Sequence, residues 1–199
     1  MIDRLKKLAA LCGVLFLAAA AKAADRPNVI LMMADDLGYN DLSCYGSERL
    51  RTPRLDKLAS EGVRLENFHV WPLCSPTRAG LMTGRYQQRF GFRTNPSVDP
   101  DNASVGIPHH ETTLAEALDQ AGYTCAAIGK GHLGSHPTQH PLARGFDEFV
   151  GFLTGGHQYF PDDLALNDLS EVTRQWGWYR TRLLHNHQRI TIDKYLTDA

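Results

Sequence analysis

One cysteine has neighbours arranged for oxyanion chemistry and lacks those that thiol chemistry needs. In WPLCSPTRAGLMTGRY, residues 71–86, Cys74 stands before Ser-Pro-Thr-Arg, with no histidine or carboxylate beside it to activate a thiol. Ser75 can cap a helix with a proline at its first position, and the helix would end near Gly84. Cys74 would then lie directly ahead of exposed N–H groups, and Arg78 would add a planar guanidinium, so the stretch favours binding of sulfate or phosphate. A buried structural cysteine is the alternative.

Two adjacent acids are the second group that could do chemistry. Asp35 and Asp36 follow the run from Asn28 to Ala34, which is apolar after its first residue and shows no alternation. Such a run predicts a strand covered on both faces, as in a parallel sheet. Neighbouring carboxylates repel each other, so this pair favours a divalent cation, and oxygen ligands prefer Ca²⁺ or Mg²⁺ to zinc. The alternative is a helix-capping turn before Leu37-Gly38.

The elements that must position these groups alternate between helix and strand. In two further units the predicted helix starts at a capping threonine and ends at a glycine. The two units are Thr52 to Gly62 followed by a strand over 63–70, and Thr112 or Thr113 to Gly122 followed by a strand over 123–128. Lys130 and His132 come just after the second strand. The pattern predicts an α/β domain with a mainly parallel sheet, whose ligands bind beyond the carboxyl ends of the strands.

The N-terminal residues form a segment of a different kind. Three basic residues precede an apolar run from Leu8 to Ala21, and residues 21–23 read Ala-Lys-Ala, a small-x-small cleavage pattern. This predicts a secretory signal peptide over residues 1–23, because a membrane-spanning helix needs about 20 apolar residues. Its removal takes away four basic residues and one acid, so the formal charge moves from -1 to -4. We therefore expect an exported protein, periplasmic or secreted, with no membrane span after cleavage and no surface for nucleic acid.

The expected mature chain, residues 24–199, keeps three cysteines, Cys44, Cys74 and Cys125. An odd number in an exported protein means that one is free or is no longer a cysteine. The sequence leaves the pairing of Cys44 with Cys125 open.

The motif at Cys74 resembles the signature of the type I, formylglycine-dependent sulfatases. That family carries Cys-x-Pro-x-Arg followed by Thr-Gly-Arg, and this chain has both, at residues 74–78 and 83–85. The resemblance runs from Asn28 to the last residue, through NVILMMADDLG, GKGHLG, RGFDEFVGF and YLTD. Within the family, the chain is similar to arylsulfatases and N-acetylgalactosamine-6-sulfatases. The resemblance implies an alkaline-phosphatase-like α/β fold with a mainly parallel central sheet flanked by helices. The chain is expected to be the N-terminal part of this domain and to end inside it.

The resemblance also implies how the residues act. In the family the cysteine is oxidised before folding to Cα-formylglycine, and its hydrated form is the nucleophile, so no base is needed beside Cys74. The metal ligands, for Ca²⁺ or Mg²⁺, would include Asp35, Asp36 and residue 74. Arg78 and Lys130 would offset the charge of the sulfate, and His132, also in contact with substrate, would take a proton so that sulfate leaves. The implied partners are a sulfated small molecule or saccharide and a maturation enzyme that generates formylglycine.

Further residues carry weaker expectations. Gly131 stands where the family's Gly-Lys-x-His-Leu-Gly motif usually has tryptophan, which removes a packing group and predicts a looser loop. His157 falls where several relatives keep a substrate-pocket residue, with a surface histidine as the alternative. Asp41 and Arg85 are expected to be structural partners, Arg85 by bracing the formylglycine loop. A long loop is predicted over residues 93–110.

Three other functions remain open. His132, His136 and His140 recur at intervals of four, as in some zinc hydrolases, although the glycine and prolines among them disfavour the helix that this site requires. A phosphoesterase of the same superfamily would also use an oxyanion pocket with a divalent cation. An inactive fragment is the non-enzymatic alternative, because the family's distal metal ligands and leaving-group acid lie beyond residue 199.

Overall fold

A computed structural model describes residues 26–196, in two compact units divided between Asp56 and Lys57. The signal peptide predicted over residues 1–23 lies outside the described residues. Within the described range, no helix is both long and apolar enough to cross a membrane.

The first unit is held together by hydrogen bonds from small polar side chains. Ser43 and Thr52 are linked twice, since each backbone N–H donates to the other's hydroxyl oxygen, at 2.9 and 2.8 Å. Asp56 accepts from the backbone N–H of Cys44 at 2.9 Å. The carboxylate of Asp41 accepts from the N–H of Gly38 at 2.7 Å and closes a turn. The prediction that Asp41 is structural is therefore confirmed.

Two predicted strands do not form in the described structure. Residues 28–34 and 63–70 carry no regular secondary structure, and their apolar side chains are exposed, up to 83% for Ile30 and 88% for Val63. An apolar run becomes a strand only where a neighbouring strand accepts and donates its backbone hydrogen bonds. Among the described residues neither segment has such a ladder, so both predictions are wrong for this structure.

The predicted helices do form. They are α1 over Pro53–Glu61, α2 over Cys74–Thr83 and α3 over Leu114–Gln120. At α3 the open choice of cap is resolved: the Thr113 hydroxyl accepts from the Glu116 N–H at 3.1 Å, and the Glu116 carboxylate accepts from the Thr113 N–H at 2.7 Å. This reciprocal pair is a capping box, which fixes the start of the helix.

The second unit contains a mixed four-stranded sheet. Its strands, neighbours in chain order, are β1 over Ala126–Lys130, β2 over Glu148–Phe152, β3 over Leu183–His185 and β4 over Gln188–Ile190. Strands β1 and β2 are parallel, whereas β2–β3 and β3–β4 are antiparallel. The described sheet thus differs from the mainly parallel sheet that was predicted, because β3 runs antiparallel to β2 and then forms a tight hairpin with β4. Strand β1 also begins and ends two to three residues later than predicted.

Short 3-10 helices connect these elements. They cover Tyr39–Asp41, Ser43–Tyr45, Gln87–Phe90, Pro137–Gln139, Pro141–Arg144, Pro161–Asp163, Leu169–Glu171 and Gly177–Arg180. A small core of Ala79, Phe92 and Ile107, with Leu133 packed against it, joins α2 to the segment after β1. Residues 93–110 contain no helix or strand, as predicted for a long loop.

Candidate active site

Helix α2 begins two residues earlier than the sequence predicted. Cys74 is its first residue and Leu73 occupies the N-cap position, with no side-chain capping bond from Leu73. The Ser75 hydroxyl, predicted as the cap, is fully buried inside the first turn. The side chain of Asn95, from the long loop, takes over the capping role by accepting from the Ser75 N–H at 3.1 Å. The predicted end of the helix is confirmed, because Gly84 adopts the left-handed conformation typical of a C-terminal cap.

This arrangement changes what the start of α2 can bind. The Ser75 N–H donates to Asn95, Pro76 has no N–H, and the Thr77 N–H donates to the Leu73 carbonyl at 3.3 Å. The expectation of several exposed N–H groups beyond Cys74 is therefore wrong. The N–H groups of Ser75 and Thr77 therefore already have partners within the protein.

A hydrogen bond joins α2 to the end of β1. The guanidinium of Arg78, one turn inside α2, donates to the carbonyl oxygen of Lys130 at 2.6 Å. Both residues are half-buried, as is Cys74. Lys130 is the last residue of β1 and not, as predicted, a residue beyond it. The structure thus connects the motif that contains Cys74 to the motif that contains Lys130 and His132. The two bonded residues, Arg78 and Lys130, are 52 positions apart in the sequence.

His132 is held in an unusual backbone conformation directly after β1. Its φ is +56°, which non-glycine residues seldom adopt outside turns and functional sites. The Gly131 and His132 N–H groups donate to the carbonyls of Phe152 and Leu153 at 2.8 and 3.2 Å. These bonds continue the β1–β2 pairing, so the loop is tied to the neighbouring strand although residue 131 lacks a side chain. The side chain of His132 is buried.

His157 is a buried residue and not a surface histidine. It is 7% exposed, its Nδ1 lies 2.9 Å from the Gln158 carbonyl, and its ring stacks on Phe152 at 4.7 Å between centroids. Burial lowers the pKa of this imidazole below its ordinary value, since the charged form loses hydration. The alternative of a surface histidine is wrong, and the assignment to a substrate pocket stays a prediction.

The two adjacent acids in the first unit have the chemistry of a hard-cation site. Ligand oxygens of Asp35 and Asp36 lie within 4.8 Å of one another, and both residues are exposed. Asp36 has a φ of +58°, a left-handed conformation that redirects the chain between neighbouring acids. Oxygen donors of this kind fit Ca²⁺ or Mg²⁺.

Arg85 has a different partner from the one expected. Its guanidinium donates to both carboxylate oxygens of Glu111, at 2.6 and 2.7 Å. The Glu111 side chain is 2% exposed, so this pair fixes the end of the long loop. No local pattern in the sequence pointed to Glu111, whereas Asn95 lies within the long loop that was predicted over residues 93–110.

The histidine triplet does not form a zinc site. Nδ1 of His136 accepts from the Thr138 N–H, and Nδ1 of His140 accepts from the Leu142 N–H, each at 3.2 Å, so both rings cap 3-10 helices. Within the part of the chain that the structure describes, these histidines do not converge with His132 as a group of ligand atoms.

Comparison with known proteins decides the family. The sequence profile of the sulfatase family matches residues 27–187. The chain belongs to the sulfatase family. This membership also confirms the alkaline-phosphatase-like α/β fold, of which the mixed sheet and its helices are a part.

Individual sulfatases are similar to this chain over most of its length. N-acetylgalactosamine-6-sulfatase of Rattus norvegicus is 41% identical over 163 residues, or 79% of this chain and 31% of the rat protein. The crystal structure of Ps i-CgsB has a TM-score of 0.77 and 39% identity, over 87% of this chain and 39% of that one. A second crystal structure, Ps i-CgsB in complex with k-i-k-neocarrahexaose, has a TM-score of 0.73 and 37% identity, over 82% of this chain and 37% of that one. This chain therefore spans about a third of the length of the relatives it matches.

Proposed function

We propose that the intact protein is an exported, formylglycine-dependent sulfatase that hydrolyses a sulfate ester on a saccharide. The observation that carries the proposal is the 2.6 Å hydrogen bond from Arg78 to the carbonyl of Lys130. It joins the helix that begins at Cys74 to the segment that carries a lysine and a histidine. Transfer of a sulfuryl group requires a nucleophile, cationic side chains and a proton carrier, and here these groups come from distant parts of the chain.

Three side chains would have different roles in the reaction, set by their chemistry. Arg78 offers a planar cation that fits two oxygens of a tetrahedral oxyanion, and Lys130 offers a point charge. Because these charges are fixed, they stabilise the sulfuryl group most when its charge is redistributed in the transition state. His132 would accept the proton of the hydroxyl that remains on the sulfated residue 74, so that the C–O bond to sulfate breaks and the aldehyde forms again.

Two groups complete the proposed site. Asp35, Asp36 and residue 74 would hold a divalent cation, with Ca²⁺ preferred and Mg²⁺ tolerated by the same oxygen donors. The cation would supply positive charge that favours an ionised oxygen nucleophile. Formylglycine at residue 74 requires a maturation enzyme as partner, which oxidises the thiol before the chain folds.

A sulfated saccharide is the proposed substrate class, and two relatives support it. One is named an N-acetylgalactosamine-6-sulfatase, and another was crystallised with k-i-k-neocarrahexaose. Export through the predicted signal peptide, to the periplasm or the exterior, would give such an enzyme access to saccharides outside the cell.

The test compares two cysteine variants of the full-length enzyme, expressed in a host that makes formylglycine. Peptide mass spectrometry should find an aldehyde at residue 74, and Cys74→Ala should abolish hydrolysis of an aryl sulfate while the protein stays folded. The matched control, Cys44→Ala, should keep both the aldehyde and the activity. Turnover by a protein with an unmodified thiol at residue 74 would refute the proposal, and faster turnover of an aryl phosphate would favour the phosphoesterase.

A second test addresses the proton carrier. In a His132→Ala variant the peptide that contains residue 74 should retain the mass of a sulfate group after incubation with substrate, because transfer occurs and release does not. An inactive variant whose peptide carries no such adduct would contradict the role of His132 in release.

A further inference from the structure

The imidazole of His132 lies directly against the backbone of Gly155. A Cβ atom at residue 155 would fall 2.6 Å from Cε1 and 2.6 Å from Nε2 of the ring. Carbon atoms in contact normally lie about 3.5–4.0 Å apart, so the ring occupies the space that any other side chain at 155 would fill.

The backbone of Gly155 does not itself require glycine. The φ angle of Gly155 lies outside the left-handed range, whereas the φ angles of Gly129 and Gly134, on either side of His132 in the sequence, lie within it. An alanine at 155 would therefore meet little conformational strain. The contact with the imidazole is what excludes it.

One short segment holds both the backbone and the ring of His132. The Leu153 carbonyl accepts from the His132 N–H at 3.2 Å, and the ring rests two residues later on Gly155. Thr154 lies between them, is 3% exposed and donates from its hydroxyl to the Gly156 carbonyl at 2.8 Å, which closes the turn. The segment after β2 therefore fixes the left-handed backbone of His132 and the plane on which its ring lies.

We propose that Gly155 is a positioning residue for His132, with the turn at residues 153–156 serving as the platform that fixes the imidazole. The structural part of this proposal stands on the contact alone, and its catalytic consequence rests on the proposed function. A methyl group at 155 would displace the ring by about 1 Å to restore a normal contact. A displacement of that size costs a proton-transfer group about 10²-fold in rate.

Neighbouring glycines of the same turn provide the test and its control. Gly155→Ala adds a methyl group against the His132 ring, whereas Gly156→Ala adds one against Tyr179, 3.1 Å from Cζ. Both variants of the full-length enzyme would be labelled at histidine, and the ring Cε1–H resonance of His132 assigned by its loss in His132→Gln. The same preparations would be assayed on an aryl sulfate.

We expect the His132 ring resonance to move in Gly155→Ala and to stay in place in Gly156→Ala, with kcat about 10²-fold lower in the first variant alone. Retained sulfate on the residue 74 peptide should accompany that loss, which general destabilisation would not produce. An unmoved resonance in folded Gly155→Ala overturns the proposal whatever the activity. A moved resonance with unchanged kcat overturns the catalytic part of the proposal. If the resonance moves but the wild-type protein cleaves no sulfate ester, the role of Gly155 in positioning His132 is supported and the proposed function is refuted.

Discussion

The stability of the second unit should depend strongly on Arg144, a buried arginine that ties together three segments. Its side chain is 7% exposed, and it donates to the carbonyls of Ile107 and Glu111 at 3.0 and 2.7 Å. It also donates to the carboxylate of Glu116 at 3.0 Å, in the capping box of α3. The guanidinium of Arg144, in the segment before β2, is therefore hydrogen-bonded to both the long loop and α3.

Truncation by Arg144→Ala leaves these acceptors in place without their donor. The Glu111 carbonyl loses the donor that Arg144 gave it, whereas the Ile107 carbonyl keeps one from Gln139 at 3.0 Å. A buried acceptor left without a partner costs about 1–3 kcal/mol, and a broken buried ion pair costs about 3–5 kcal/mol. Glu116 is 29% exposed, so solvent reduces the ion-pair part. We expect a total loss of about 3–4 kcal/mol, a large share of a typical stability of about 5–15 kcal/mol.

The assay is urea unfolding, followed by circular dichroism, of three variants beside the wild type. Arg144→Ala should lower the midpoint at a constant slope, which indicates lost stability and not a changed unfolded state. Arg144→Lys keeps the positive charge but not the several N–H donors of the guanidinium. Its free energy of unfolding should therefore fall by less than that of Arg144→Ala, by about 1–2 kcal/mol. Arg93→Ala, at an exposed arginine, should change the free energy of unfolding by less than about 0.5 kcal/mol. Equal effects at residues 144 and 93 would refute this reasoning.

Three other predictions concern a helix cap, two buried histidines and a buried thiol. Asn95→Ala should lower the free energy of unfolding by about 1 kcal/mol because the Ser75 N–H loses its cap, and Asn95→Asp should restore most of it; thermal melts showing no difference would contradict the capping role. Burial lowers the pKa of His140 and His157 below 6.5, so stability should be full above pH 6.5 and fall as the pH drops below it; the His140→Gln, His157→Gln double variant should flatten this dependence in pH-stepped melts. Burial raises the pKa of the Cys125 thiol, with help from nearby carboxylates, and Cys125 is in no disulfide, so iodoacetamide should label it in urea and not in the native protein; rapid native labelling would contradict its burial.

Local rules predicted the helices because the signals that start and stop a helix lie within a few residues. Proline at the first position and glycine after the last predicted the observed bounds of α1. At α3 the sequence left the cap open between Thr112 and Thr113, and the reciprocal bonds with Glu116 in the structure assign it to Thr113. The start of α2 was missed by two residues because its cap comes from Asn95, 20 residues from Ser75 along the chain. No local rule could include that side chain.

Strands were predicted less well because a strand depends on a partner. Residues 28–34 and 63–70 have the right composition, but the described sheet offers them no ladder. By contrast β1 forms where β2 pairs with it, from Ala126 opposite Glu148 onward, and not where its apolar run begins. Composition shows that a segment suits a strand, and pairing decides whether and where the strand forms.

The sequence by itself determined the family and the candidate reactive groups, because the motifs at residues 74–78 and 129–134 are read from residue type and spacing alone. Tertiary structure decided how those groups are held. Only the folded chain shows that Arg78 reaches the carbonyl of Lys130, that His132 is left-handed and that its ring lies on Gly155. The physical reason is distance along the chain: residues 23 to 52 apart meet through the pairing of β1 with β2 and the packing of α2, and neither leaves a signal in any short window of sequence.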